Sequence, residues 1–304
     1  MAANDHFFAT AGGHRTSSRA IGNQILSILC IGLAGATLIP LVSILFLVVK
    51  KGLPLLNLDL FRQLPPAAGS LGGGLGNAML GTLLMVGIAL VIATPVGVLA
   101  AIYVNEYSPT SKLANAVRFV AKLLTGIPSI ICGVFAYAVI VLPDGPIVQL
   151  CKALGIPFEG GFSAWAGGFA LAILILPTII LTSEQALIGV SKAYREASYG
   201  LGATTFQTIW RIVLPDALPA IMTGVMLAVA RAAGETAPLI FTALFSWFWA
   251  QSLTEPTASL SVLIYNFSTL PYEHQINMAW TASLVLVILV TIANVTAQLV
   301  FRKK

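Results

Sequence analysis

Two charged side chains stand four residues apart in an otherwise oily stretch, MLAVARAAGETAPLIF at residues 226–241: Arg231 and Glu235. On a helix, such a pair shares one face about a turn apart. A guanidinium offers a planar fork of donors that suits an oxyanion, and a neighbouring carboxylate competes for the same donors. At the centre of a membrane span each charge costs about 2.5–3.5 kcal/mol on insertion scales unless it is paired or hydrated. Two readings therefore stand. In one, the pair satisfies itself and fixes helix packing. In the other, the face lines an aqueous path, and Glu235 holds the arginine between visits of an anion, which keeps anion binding weak enough for release. Thr236 and Pro238 follow directly, the proline either loosening the helix for gating or only kinking it. A second polar cluster, Thr125-Gly126-Ile127-Pro128-Ser129, sets two hydroxyls around a helix breaker. A local break there frees backbone polar groups to line a cavity, with a plain structural kink as the alternative. The candidate pathway lining is thus Arg231, Glu235, Thr236, Thr125 and Ser129.

The elements that must position these groups are membrane helices. Of 304 residues, 58% are hydrophobic and only 9% charged, and the mean hydropathy is +0.92. A soluble domain carries about 25% charged residues. A span needs roughly 20 apolar residues, and six runs qualify: about 25–49, 76–104, 117–142, 162–183, 218–248 and 278–301. Residues 1–20 are polar and rich in small side chains, and read as a flexible tail before a 21–304 membrane domain. The first apolar run reads as a retained span rather than a signal peptide. If the fifth span begins at Leu218, Arg231 lies about 20 Å along it, past the midplane.

Charge decides the orientation. The net charge is +5, but the basic residues are too scattered to track a nucleic-acid backbone. With the N-terminus inside, eleven of the sixteen Lys and Arg fall in inner segments, among them Lys112, Arg118, Lys122, Lys192, Arg195 and Arg211. Only Lys50, Lys51, Arg62 and Lys152 fall outside, and Arg231 is the remaining one. The positive-inside rule places both termini in the cytoplasm.

Several chemistries are excluded. The glycine-rich GSLGGGLGN at 69–77 lacks the Gly-Lys-Ser/Thr ending of a phosphate loop and has no strand before it. No lysine follows a glycine anywhere, so the chain has no Walker A motif and is not expected to be an enzyme on its own. There is no HExxH or CxxC, and the three cysteines (Cys30, Cys132 and Cys151) have neither metal-ligand spacing nor a disulfide framework. No cofactor is expected in this chain.

Between the fourth and fifth runs lies EQALIGVSKAYREASYGLGATTFQTIWRIVLPDALPAI, residues 184–221. Leu187, Val190, Tyr194, Ala197 and Leu201 recur at helical spacing, Gly200 and Gly202 break the pattern, and Thr204 is placed to cap a second short helix through Ile212. An apolar stripe exposed on an ordered loop usually docks into something; an amphipathic helix lying on lipid is the alternative.

Within this loop Glu196-Ala197-Ser198, Gly202 and Ile212-x-Leu214-Pro215 resemble the EAA-loop signature of ABC importer permeases, with Ser198 where the family commonly has alanine. The stretches PVGVLAAIYVNEY (95–107), GIPSIICGVFAY (126–137), LPTIILTSEQAL (176–187) and ARAAGETAPLIFTA (230–243) resemble the phosphate branch of that family, and the likeness covers the chain from about residue 20 to its end. The resemblance implies an all-α integral membrane protein with the six-helix type I ABC importer permease fold and a coupling loop at about 184–217. It implies that Glu196, Ala197, Ser198, Gly202, Ile212, Leu214 and Pro215 couple to an ATP-binding subunit. It further implies a homologous permease partner, a dimeric ATPase that binds ATP and Mg, a soluble phosphate-binding protein outside, and inorganic phosphate as cargo in the bacterial inner membrane. A permease for sulfate or molybdate is the alternative within the class, and a secondary anion transporter or channel the alternative outside it. The latter would need inverted repeats or a self-sufficient polar pathway.

Overall fold

A computed structural model describes residues 18–301. The expected tail up to residue 17, and with it Arg15, lies outside the described residues, as does the basic C-terminal end from residue 302. The chain divides into two compact units, residues 1–50 and 51–304. The first is the helix α1 (Ser18–Gly52), apolar along its length and carrying Pro40 within it.

In the second unit the helices follow the apolar runs, with informative departures. They are α2 (Gly76–Ile102), α3 (Lys112–Thr125), α4 (Ser129–Ala136), α5 (Pro146–Ala153), α6 (Ala164–Ile188), α7 (Lys192–Gly200), α8 (Thr205–Thr208), α9 (Leu214–Gly234), α10 (Ala237–Thr242), α11 (Leu260–Ser268) and α12 (Glu273–Phe301). Three single turns of π-helix extend the ladder beyond α2 (Tyr103–Tyr107), beyond α4 (Tyr137–Val141) and between α8 and α9 (Ile209–Val213). Among the described residues, six helical segments are long and apolar enough to cross a membrane. The described residues are all helix, turn and coil, with no strand.

The expected third span, 117–142, is corrected. Its first part is α3, an amphipathic helix capped by Ser111, whose hydroxyl accepts from the Ala114 amide at 3.0 Å. The helix closes at Gly126, and Pro128 starts the next one. The apolar segment then runs Ser129–Ala153. Leu113, Phe119, Val120 and Leu123 are exposed on α3 and extend the apolar run upstream without lengthening the span. The fifth span, expected at 218–248, is Thr205–Gly234 instead. Thr204 does cap a helix there, with Gln207 completing a reciprocal box, but that helix does not stop at Ile212. It continues through the π-turn Ile209–Val213 into α9, with Pro215 the second residue after that turn.

The core is built on α6, the most buried of the spans. Small residues set its contact with α2: a side chain at Gly97 would come within 2.7 Å of Ile179, and one at Gly168 within 2.5 Å of Ile88. Such close approach is how membrane helices gain packing without a hydrophobic driving force. Gly224 of α9 likewise lies directly under Thr182 of α6. A second apolar cluster joins α11 and α12 to the start of α2 through Leu75, Leu260, Leu263, Phe267 and Met278. The unit is therefore two layers around α6. One end carries α3, α7 and α8; the break between α9 and α10 lies far along α9 from that end.

Candidate functional site

The pair that opened the sequence reading sits at a helix end, not in mid-helix. Helix α9 stops at Gly234, and Glu235 is extended (φ −74°, ψ 131°). The cause is local. Pro238 has no N–H, and its ring would clash with the carbonyl four residues back, which belongs to Gly234. Pro238 instead opens α10 within its first turn. Glu235 therefore does not share a helix face with Arg231, and the mid-helix placement is corrected. The two side chains still meet, Arg231 Nε lying 3.8 Å from Glu235 Oε1. That separation is ionic contact without a hydrogen bond. Arg231 lies in the last turn of α9, where the partial negative charge of the terminal carbonyls favours a cation. This lowers the cost of holding it in an apolar setting.

The break is supported from two sides. Ser261, at the start of α11, donates its hydroxyl to the Glu235 carbonyl at 2.7 Å. Ser259 caps α11 by accepting from the Val262 amide at 3.2 Å. From the other side, α4 packs on α10 so closely that a Cβ on Gly133 would lie 2.6 Å from the Pro238 Cα. Ser129 is one turn before Gly133 on the same face of α4, so the structure brings its helix against the 235–238 break. Thr236, half-buried, accepts the Leu239 amide on its carbonyl at 3.1 Å. Thr125 lies across the Gly126–Pro128 break, exposed, and its hydroxyl donates back to Lys122 O at 2.6 Å. Because the Gly133 contact is to backbone, Gly133→Ala is expected to cost about 1–3 kcal/mol by overpacking. A thermal midpoint in detergent equal to that of the unsubstituted protein would contradict this packing.

Among the described residues, the arginines in Arg118–Glu184, Arg195–Glu106 and Arg231–Glu235 are not alike. Arg118 donates to Glu184 Oε1 at 2.6 Å, Val104 O at 3.0 Å, Pro109 O at 2.8 Å and Asn115 Oδ1 at 3.3 Å. Arg195 donates to both Glu106 oxygens at 2.6 and 3.1 Å and to Val190 O and Leu187 O at 2.8 and 2.9 Å. Arg231 donates no hydrogen bond among the described residues, and its side chain is 37% exposed. Its donors are unspent among the described residues, where those of the other two are committed to protein. The carboxylates Glu106 and Glu184 escaped the sequence reading, which used Arg118 and Arg195 only as orientation charges. Their partners lie 89 and 66 residues away, so no local spacing signals them.

At the far end from the break lies the 184–217 loop. Helix α7 is capped by Ser191, and Gly202, at φ 81°, turns the chain into α8. Glu196 and Ala197 are exposed; Ser198 is buried and its hydroxyl lies 2.8 Å from that of Thr208. The serine at this position thus ties α7 to α8. Leu201 is 90% exposed, and Tyr194 and Phe206 are exposed beside it. Leu187 and Val190, expected on the same exposed stripe, are buried against the core at the end of α6. Ile212 lies in the π-turn, and Leu214 and Pro215 begin α9. The exposed apolar residues of the predicted stripe are therefore fewer than its periodicity suggested, Tyr194, Ala197 and Leu201 remaining on α7 and the turn after it.

Comparison with known proteins bears on both regions. Residues 93–304 match the family described as binding-protein-dependent transport system inner membrane component. The chain is 40% identical over 264 residues to the phosphate transport system permease protein PstA of Yersinia pestis, covering 87% of this chain and 84% of that one. It is 40% identical over 261 residues to the protein of the same name from Haemophilus influenzae, covering 86% and 87%. With the probable phosphate transport system permease protein PstA of Methanocaldococcus jannaschii it shares 33% over 279 residues, covering 91% and 92%. Among solved structures, a chain of a bacterial alginate ABC transporter, in complex with an alginate-bound periplasmic protein, superposes with a TM-score of 0.65. It shares 19% identity and covers 93% of this chain and 96% of that one. A chain of the MetNI methionine ABC transporter in an inward-facing conformation gives 0.53 at 21% identity, covering 74% and 92%. At those identities the likeness is one of fold.

Proposed function

The chain belongs to the family of binding-protein-dependent transport system inner membrane components, and from that premise we propose that it is the PstA-type permease of a phosphate importer. It forms half of a translocation path with a homologous, PstC-like permease. A PstB-like ATPase dimer, which binds ATP and Mg, supplies the energy, and a PstS-like protein delivers inorganic phosphate from outside. The end bearing α3, α7 and α8 faces the cytoplasm, in keeping with its lysines and arginines. The observation that supports phosphate over sulfate or molybdate is the extent of likeness to proteins named as phosphate permeases.

In this reading the loop 191–215 is the lever. Exposed Glu196, Ala197 and Leu201 meet the ATPase, and the turn at Gly202 sets the angle between α7 and α8. From Thr205 the helix runs with one π-turn to Gly234, 30 residues, or about 45 Å at 1.5 Å per residue. Movement at the lever thus reaches Arg231 through a single continuous helix. Arg231 offers its free donors to the anion, Glu235 competes for them from 3.8 Å, and Thr236 and Ser129 line the approach. Thr125, at the end of α3, lines the mouth of that path. The Glu235 carboxylate speeds release by recapturing the arginine, which a conducting site requires.

The test is uptake by proteoliposomes that hold this chain, its permease partner and the ATPase, with the phosphate-binding protein added outside. Phosphate accumulation that needs internal ATP and is not competed by excess sulfate or molybdate is the expected result. Uptake by vesicles containing this chain alone would make it a secondary transporter or channel, and uptake of sulfate in place of phosphate would reassign the cargo.

A further inference from the structure

We propose that Arg195 and Glu106 form a joint through which α7 moves α2 and α6 together, so that both are positioning residues for transport; this rests on the importer reading above. Three observations carry the proposal. First, the contact is bidentate and enclosed. Arg195 Nη2 lies 2.6 Å from Glu106 Oε1 and Nε lies 3.1 Å from Oε2, with 16% and 7% of the two side chains exposed. A planar two-point contact fixes orientation as well as distance. Second, the same guanidinium donates to the carbonyls of Leu187 and Val190 at the end of α6. Leu187 lies in the last turn of α6 and Val190 just beyond it, and the Leu187 carbonyl accepts the Val190 amide at 3.2 Å as well as the guanidinium. One side chain of α7 thus holds the ends of two spans.

Third, the point of attachment on α2 is a π-turn, Tyr103–Tyr107. Single π-turns are rare and are frequently found at functional sites. Arg118 grips the same turn at Val104 O and joins it to Glu184, one turn before Leu187 on α6. Helices α2 and α6 then run together along glycine contacts at Gly97 and Gly168, so a displacement imposed at Glu106 is carried along both. A cavity of about 440 Å³ lies beside the joint, lined by Asn105, Glu106, Lys192, Arg195, Glu196 and Tyr199. It gives α7 room to move without compressing the core.

This joint and the Ser198–Thr208 contact connect α7 to different helices. Thr208 leads into α9 and the Arg231 site; Arg195 leads into α2 and α6. Besides the direct packing of α9 on α6 at Gly224, α7 is thus bonded to the ends of both sets of helices.

The experiment uses the full reconstituted complex with Glu106→Gln and Arg195→Lys. Glu106→Gln keeps the shape of the side chain but removes its charge, and Arg195→Lys keeps the charge but removes the planar fork, so each loses the charged two-point geometry. Complex yield, ATP turnover and phosphate carried per ATP hydrolysed are read together. The expected result is near-normal yield and continued ATP turnover, with phosphate per ATP reduced about tenfold and little stimulation of ATP turnover by the phosphate-loaded binding protein. An unchanged ratio in assembled complex overturns the proposal. So does a fall in yield with normal coupling in the complex that remains, or loss of the complex in both variants, since either makes the pair an ordinary stabilising contact. If the unsubstituted complex carries no phosphate under ATP, the importer reading fails and not the joint.

Discussion

Replacing Arg231 with glutamine is expected to lower phosphate uptake by about two orders of magnitude while the protein still inserts and assembles. The magnitude follows from the chemistry. A hydrogen bond to a charged group contributes about 1.5–3 kcal/mol, and each 1.4 kcal/mol is about tenfold in a rate or equilibrium. Glutamine keeps a polar head of similar reach but loses the charge and the fork. Insertion is spared because Arg231 closes a helix end and donates no hydrogen bond among the described residues; removing it leaves only the Glu235 carboxylate without its ionic partner. That carboxylate is 19% exposed and able to reach water. Uptake in cells, normalised to the amount of assembled complex in the membrane, is the measurement. Normal uptake by Arg231→Gln would show that the pair merely fixes packing, which is the alternative the sequence left standing. A companion variant tests the other half of the argument: Glu235→Gln removes the competitor and should slow phosphate release rather than abolish binding.

The second large effect is expected at Gly202. Its φ of 81° lies in the left-handed region, and a Cβ there would meet nothing within 4 Å. Space is therefore no obstacle, and any cost must come from the backbone. A β-branched residue in that region costs of order 1–3 kcal/mol, so Gly202→Val should shift the turn between α7 and α8 and misdirect the exposed Glu196, Ala197 and Leu201. Co-purification of the ATPase with the permease is expected to fall by about tenfold or more, with ATP-driven uptake lost in proportion. Gly200 supplies the internal control. It also has open space around it, but it is helical, where alanine is favoured over glycine by about 0.8–1 kcal/mol. Gly200→Ala should leave ATPase binding intact. If the two positions respond alike, the turn is not what sets the docking geometry.

Much of this architecture is legible from residue order. Six apolar runs announce six spans, and α2 agrees with its run because nothing amphipathic adjoins it. The cap at Thr204 and the turn at Gly202 are also local matters, decided by a hydroxyl, a Gln three residues on and a missing Cβ. The third and fifth spans were misplaced for a shared reason. Hydropathy counts apolar residues without knowing whether they face lipid along a span or lie along its surface. The exposed face of α3 therefore looked like the start of a span. Pro238 reads in the sequence as a loosened or kinked turn and instead follows the end of α9 at Gly234.

The chemistry divides in the same way. Arg231 and Glu235 stand out because charge is rare among apolar neighbours, and the EAA-like loop because its residues are close in the chain. The commitments of Arg118 and Arg195, by contrast, could not be read from spacing. Their partners Glu184 and Glu106 become neighbours only after α2 and α6 pack side by side, and an arginine with its donors spent looks the same in a sequence as one with its donors free. Residue order alone thus determined that this is a membrane protein with six apolar spans, an EAA-like loop and a basic residue in an oily setting, since these depend on composition and on contacts within a few residues. Only the tertiary structure decided which arginine keeps its donors unspent among the described residues and which ones bond to neighbouring helices, because hydrogen-bond saturation is set by groups that distant segments bring together.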